Sequence, residues 1–343
     1  MKTIGILLLD SFRMLRSQKL FWLVLGISGF VALAYVSIGF DDTGYSVFFG
    51  LWRFENELLR GGEEMARVFY LLLFTNWIVP MWLSFVAIVL ALISCGPIVP
   101  EFVREGSIDF FLSKPPRRSV MFLGKFLGSL LFVFLQIALF SLIVFLGFGF
   151  RFGEWNFTIF WAIPVLVLVF ALVYVVHVFV AVWSGSTVFG LLAAFVVWAL
   201  AAMGEWGERI VYEFAYLTPR MGKQLDFASP GGWVDVEPRE DAGPGWVSVY
   251  KAVNALRTPL PKTRGMTLQL KTLIKVNGSS GGGGLAGKDT LSLMFELPSR
   301  PHEREAMRRF ETRHPLWLDA VTSVAFAGFF LFLATVIFCR KDY

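Results

Sequence analysis

The chain has 343 residues and a formal net charge of +5, and 56% of its residues are hydrophobic. An uncharged run from Trp155 to Gly204 is too long for the core of a soluble domain, because each membrane crossing needs only about 20 apolar residues. These features exclude a soluble globular protein. The positive charge is explained by membrane topology, so we expect no nucleic-acid partner.

Long uncharged stretches predict an all-α polytopic membrane protein with six transmembrane helices, since the longest stretch holds two spans back to back. We place the spans at about residues 20–40, 68–94, 122–147, 157–182, 187–204 and 318–339. The small polar turn around Gly185 separates the fourth span from the fifth. No Ala-x-Ala-like cleavage site follows the first span, so we expect it to be retained rather than removed as a signal peptide.

The loop after the second span mixes apolar and charged side chains. Its apolar members are Phe102, Ile108, Phe111 and Leu112, and its charged members are Glu101, Arg104, Glu105 and Asp109. This mixture is typical of a short helix at the membrane surface, broken at Gly106 and ended by Pro115-Pro116. The simpler interpretation is a loop whose positive charges anchor it on one side of the membrane.

His177 lies deep within the fourth predicted span. An ionisable side chain inside the membrane is a functional candidate, as a proton relay or a substrate contact. The simpler interpretation is a neutral histidine that is hydrogen-bonded to a neighbouring helix. Both interpretations remain open at this stage.

Residues 205–315, between spans five and six, form the only sizeable soluble region, and we predict that it is a β-containing domain. A helix-like segment, Glu208–Leu217, opens it. Alternating polar and apolar residues then predict strands at 247–250, 267–276 and 291–297, which would form a small antiparallel sheet. The glycine-rich segment Asn277–Gly284 is typical of a flexible hairpin tip.

Motifs for chemistry are weak in this chain. Gly282–Asp289 approaches a phosphate-binding loop, but Asp289 replaces the Ser or Thr that would hold magnesium. His302 and His314 have no carboxylate at metal-ligand spacing, and neither paired carboxylates nor a Ser-His-Asp arrangement can be placed in the membrane. We therefore predict no catalytic residue, no metal site and no cofactor in this chain.

The distribution of Lys and Arg predicts the orientation. The amino-terminal segment, the loop after span two and the carboxyl-terminal tail together carry eleven such residues, against four in the first and third loops. Both termini and the loop after span two should therefore be cytoplasmic, and residues 205–315 extracytoplasmic. The Arg residues at 304–313 do not change this, because long loops translocate largely regardless of charge.

The loop after span two resembles that of the permeases of type-2 ABC exporters. The matching residues are Glu105-Gly106-Ser107-Ile108-Asp109, Leu112-Ser113-Lys114-Pro115-Pro116-Arg117-Arg118, and Gly124-Lys125 where the third span begins. Ser107 and Pro116 differ slightly from the usual pattern. The six-span layout with both ends inside agrees, but the region between spans five and six is longer than the short helical hairpin of that family.

The resemblance implies a permease subunit in the bacterial cytoplasmic (inner) membrane, paired with a second permease chain in a homo- or heterodimer. Residues 1–19 would be an amphipathic elbow helix, about 98–114 a coupling helix, and 316–343 the sixth span with its cytoplasmic tail. The coupling helix would dock on a separate cytoplasmic ATPase, which would hold the ATP and magnesium and hydrolyse the ATP. The contact residues would be Glu101, Phe102, Arg104, Glu105, Ile108, Asp109 and Phe111.

Two other functions fit the sequence. The chain could be a membrane anchor or assembly scaffold whose β-rich extracytoplasmic domain binds partner proteins. A weaker alternative is a proton-coupled carrier that uses His177.

Overall fold

The computed structural model describes residues 19–55, 64–100, 118–216, 223–225, 233–235, 244–274 and 316–340. Nearly all of the predicted elbow helix (1–19), most of the predicted coupling helix (98–114) and the predicted strand at 291–297 lie outside these ranges, as does the Asn277–Gly284 segment.

Six of the described helices are long and apolar enough to cross a membrane, as predicted. The chain is therefore a mostly helical, multi-pass membrane protein. In chain order the spans consist of α1 (Lys19–Val36), the continuous segment 64–95, α4 (Arg118–Phe152), α5 (Ala162–Ser184), α6 (Thr187–Tyr216) and α9 (Leu316–Arg340). The predicted helix at Glu208–Leu217 is the continuation of span five within α6.

Span two changes its winding along its length. It starts as α2 (Glu64–Leu73), continues as a π-helix (Phe74–Val86) and ends as α3 (Ala87–Cys95). Pro80 lies inside the π-helical part. Proline has no N–H to donate and its ring crowds the preceding turn, so regular α-helical hydrogen bonding cannot pass through this position.

Span four is the central helix. In its most apolar stretch of 18 residues, 78% of the residues are buried inside the protein, against 17% in spans five and six. It packs against spans three, five and six and against the π-helix of span two. The span begins after a short 3-10 helix, Phe157–Trp161, and ends at Gly185, whose left-handed backbone (φ 72°) stops the helix as expected for glycine.

The bundle has two ends, and an ion pair and a hydrogen bond connect helices at one of them. At one end Arg151 of α4 donates from Nη2 to the Val36 carbonyl of α1 (2.9 Å), and Arg67 of α2 pairs with Glu154. We call this end, which also carries residues 244–262, the insertion side. The other end, which contains Gly96, Gly185 and Arg340, is called the opposite side.

A three-stranded antiparallel sheet follows span one on the insertion side, where the sequence predicted none. Its strands are β1 (Gly39–Asp41), β2 (Gly44–Val47) and β3 (Trp52–Glu55), with β2 in the centre. The predicted first span ran to residue 40, but the helix ends at Val36. The mixed apolar and glycine-rich sequence after it forms strands instead.

Two predicted strands of the region between spans five and six are wrong. Residues 247–250 lie in helix α7 (Pro244–Arg257), and residues 267–273 lie in helix α8 (Thr263–Leu273). Among the side chains of α8 and the residue after it whose burial is described, the buried ones are Thr263, Met266, Thr267, Leu270 and Ile274. Their spacing of three and four residues is that of one helix face, and this face packs against the spans. The strands described in this region are β4 (Lys223–Leu225) and β5 (Trp233–Asp235), which pair in antiparallel fashion.

Candidate functional site

The predicted ATPase contact residues Glu101, Phe102, Arg104, Glu105, Ile108, Asp109 and Phe111 lie outside the described residues. Their role stays a prediction. The structure describes the two ends between which this loop runs. Ile98 and Val99 are buried at the end of span two, and α4 begins at Arg118.

His177 is completely buried, and one of its ring nitrogens is hydrogen-bonded to the end of a neighbouring helix. Its Nε2 lies 3.0 Å from the carbonyl oxygen of Gly96, just beyond the end of α3. A carbonyl only accepts, so Nε2 carries the proton and donates it. The imidazole thus connects span four to the end of span two.

Tyr174 makes the matching contact one turn earlier on span four. Its hydroxyl donates to the Cys95 carbonyl at 3.2 Å, and the Ser129 hydroxyl of span three lies 2.9 Å away. The Tyr174 and His177 rings are stacked with centroids 5.7 Å apart. We call Ser129, Tyr174 and His177 the span-two anchor, because two of them bind consecutive carbonyls at the end of span two.

A second polar site, which the sequence analysis missed, lies on the insertion side. We call it the buried charge cluster, and its members are at most 9% exposed: Glu205, Glu208, Arg257, Lys262 and Asp319. They come from the far end of span five, from α7, from the residue before α8 and from the first turn of span six. The available sequence signal was the acidic pair Glu205 and Glu208 at a spacing of three on a helix that continues span five.

Arg257 and Lys262 connect α7 and α8 to the spans. The Arg257 guanidinium is hydrogen-bonded to Glu208 and lies 4.0 Å from Asp319 Oδ2. The Lys262 ammonium lies 3.5 Å from Asp319 Oδ1 and donates to Thr322 Oγ1 at 2.9 Å. Isolated buried charges are costly, so removal of either cation would leave carboxylates poorly compensated.

Glu205 caps helix α8 from a neighbouring span. Its carboxylate accepts from the backbone N–H of Arg264 at 3.2 Å and from that of Gly265. The amino terminus of a helix carries a partial positive charge, which supports a carboxylate there. Three carboxylates are therefore balanced by two cations and a helix terminus.

Helix α8 enters the bundle from the insertion side. Ser84, in the π-helix of span two, donates from Oγ to Thr267 Oγ1 at 3.3 Å. Thr267 in turn donates to the Thr263 carbonyl at 2.9 Å. Together with its contacts to spans two, four, five and six, this places α8 among the spans, as in a re-entrant helix. The buried charge cluster lies at the amino-terminal end of α8.

Both polar sites connect different helices. The carboxylates of the cluster are engaged by cations and N–H groups, and no nucleophile lies beside a base in the contacts above. Within the part of the chain that the structure describes, no group of three His, Cys, Asp or Glu side chains is placed to hold a metal ion.

Comparison of the chain with protein-family models, curated proteins and solved structures gives no match.

Proposed function

We propose that the chain is the permease subunit of an ATP-driven ABC exporter, in which two permease chains line the pathway and a separate cytoplasmic ATPase supplies the energy. The observation that carries the proposal is the loop between spans two and three, with its Glu105–Asp109 and Leu112–Arg118 patterns. The six apolar helices agree with the six-span layout expected of a permease of this kind, which supports the proposal.

The span-two anchor supports a route for the mechanical signal. A force on the loop reaches the end of span two, whose Cys95 and Gly96 carbonyls are bound by Tyr174 and His177. These side chains belong to the central helix, which packs on spans three, five and six. Closure of the partner ATPase would thus move several helices as one body. In this mechanism His177 positions a helix and needs no change in its protonation state.

A set of loop variants tests the docking. Phe102→Ala, Ile108→Ala and Phe111→Ala should each weaken ATPase assembly by roughly 2 kcal/mol, because buried apolar anchors dominate such contacts. Asp109→Ala should cost less, since rim charges are largely screened by water. The measurements are the amount of ATPase that co-purifies from membranes and the ATP hydrolysis that transport stimulates.

Phe150→Ala is the matched control, because this Phe is 80% exposed and lies near the insertion-side end of span three, far from the loop. It should leave assembly unchanged. If the triple alanine variant of Phe102, Ile108 and Phe111 behaves like this control, the docking model is wrong. The alternative of a membrane anchor or scaffold that presents residues 205–315 would then be favoured.

A further inference from the structure

The turn between β2 and β3 exposes a cluster of large apolar side chains on the insertion side. Phe48, Phe49, Leu51 and Trp52 are 42%, 74%, 81% and 64% exposed. We call these four residues the aromatic tip. Single exposed apolar residues are ordinary, but four within five positions mark an interaction surface.

The pairing register places the aromatic tip beside the end of span one. β1 leaves the span at Gly39, which pairs with Ser46 of β2, and β2 then runs back towards the span. The Phe49 N–H donates to the Ser37 carbonyl at 3.1 Å, one residue beyond the end of α1. The tip therefore lies beside the end of span one.

The sheet is polar at one end and apolar at the other. Its far end carries Asp41 and Asp42, with Glu55 opposite Gly44 across the β2–β3 pair. Its near end is the aromatic tip. This order follows the polarity of a bilayer surface from water inwards, and Phe30 and Leu33 near the same end of span one also expose their apolar side chains.

The backbone of the tip holds the two Phe side chains outward. Phe48 and Phe49 have φ values of 53° and 55°, and Gly50 follows at 92°. Two successive bulky residues in the left-handed region are rare, and such strain persists only where the surroundings fix it. Here the hydrogen bond from Phe49 to Ser37 fixes the turn. The turn leaves both phenyl rings exposed on the protein, so an apolar environment around them would be favourable.

We propose that the aromatic tip is a lipid-binding finger that inserts into the phospholipid bilayer beside the insertion-side end of span one. The ring of Trp52 lies at the boundary, where amphipathic aromatic side chains concentrate in membrane proteins. The finger anchors the first loop at a fixed depth, independently of what the protein transports.

Single-cysteine variants of the full chain test the depth of the tip. Cys95 and Cys339 are replaced by Ala and Ser, and cysteine is introduced by Phe49→Cys, Leu51→Cys or, as the water-exposed control on the same sheet, Asp42→Cys. Each variant is labelled with a nitrobenzoxadiazole fluorophore and placed in phosphatidylcholine nanodiscs. Quenching is measured with lipid that carries a nitroxide near the headgroup and, separately, with aqueous iodide.

We expect nitroxide lipid to quench the labels at 49 and 51 several-fold more strongly than the label at 42, with the reverse order for iodide. Iodide quenching at 49 and 51 equal to that at 42 would overturn the proposal. Protection of both positions from both quenchers would overturn it too, because protein would then cover the tip. Leu51→Cys keeps the test valid if Phe49→Cys disturbs the strained turn.

Discussion

At the residue scale, the fit around His177 depends on a glycine. A Cβ built on Gly190 of span five would lie 2.8 Å from the His177 carbonyl oxygen and 2.9 Å from its Nδ1. Only glycine allows span five to approach span four this closely. The sequence identified His177 because an ionisable residue inside an apolar span is conspicuous. Its partner could not be predicted, because a backbone carbonyl such as that of Gly96 has no signature in the sequence.

Gly190→Ala should destabilise the bundle. The added methyl group meets the His177 carbonyl oxygen and the Ala181 Cβ of span four, neither of which can turn aside, so we expect a loss of about 1–3 kcal/mol in the free energy of unfolding. Gly207→Ala, on the same helix and with open space around its Cβ position, is the control and should be neutral or stabilising by up to about 1 kcal/mol. Unfolding in mixed micelles by added dodecyl sulfate provides the measurement. Equal losses in both variants would contradict the close approach of spans four and five.

At the element scale, helix α8 shows where pattern reasoning fails. Five residues at 267–271 alternate between polar and apolar, which predicts a strand, yet the buried positions recur over twelve residues at helical spacing. The alternation is local, whereas the helix face is set by packing on four spans. The spans themselves were predictable, because long uncharged runs have one stable environment. The position of α8 among the spans was not predictable, since the residues that it packs against are distant in sequence.

A cross-link tests the depth of α8. Ser84→Cys combined with Thr267→Cys should form a disulfide on mild oxidation, because the two native hydroxyl oxygens lie 3.3 Å apart. Ser84→Cys combined with Thr258→Cys, whose hydroxyl is exposed beyond the end of α7, should not. The band shift on a non-reducing gel is the measurement, with Cys95 and Cys339 replaced. A cross-link of equal yield in both pairs would mean that α8 does not enter the bundle.

The buried charge cluster makes a second prediction at this scale. Arg257→Met should cost roughly 3–5 kcal/mol, because the Arg257 guanidinium faces both Glu208 and Asp319 in a buried environment. The added change Glu208→Gln should restore part of this stability. Arg53→Met is the control. Its partner Asp41 is 4.0 Å away and both side chains are largely exposed, so little should change. If Arg257→Met is as mild as Arg53→Met in thermal unfolding, the cluster does not hold α7 to the bundle.

At the scale of the whole molecule, the two sides of the bundle have different structures. The insertion side carries a sheet with a lipid-binding finger and a charge cluster that holds the re-entrant helix. The opposite side carries the anchor from which the predicted coupling loop starts. In the proposed function the insertion side faces outward and the opposite side meets the ATPase. The proposal therefore requires this orientation of the chain in the membrane.

Labelling of single cysteines in intact cells tests this orientation. Asp42→Cys and Leu256→Cys place thiols at exposed positions on the insertion side, and Ser184→Cys places one at an exposed position on the opposite side. With Cys95 and Cys339 replaced, a membrane-impermeant maleimide should react at 42 and 256 but reach 184 only after the cells are permeabilised. This outcome follows from the eleven Lys and Arg residues in the loop and termini predicted to be cytoplasmic, against four in the first and third loops, since short positive loops stay in the cytoplasm. Reaction at 184 alone in intact cells would mean that the membrane topology is the inverse of the predicted one. The loop at 101–117 could then not reach a cytoplasmic ATPase, and both the predicted orientation and the exporter proposal would be wrong.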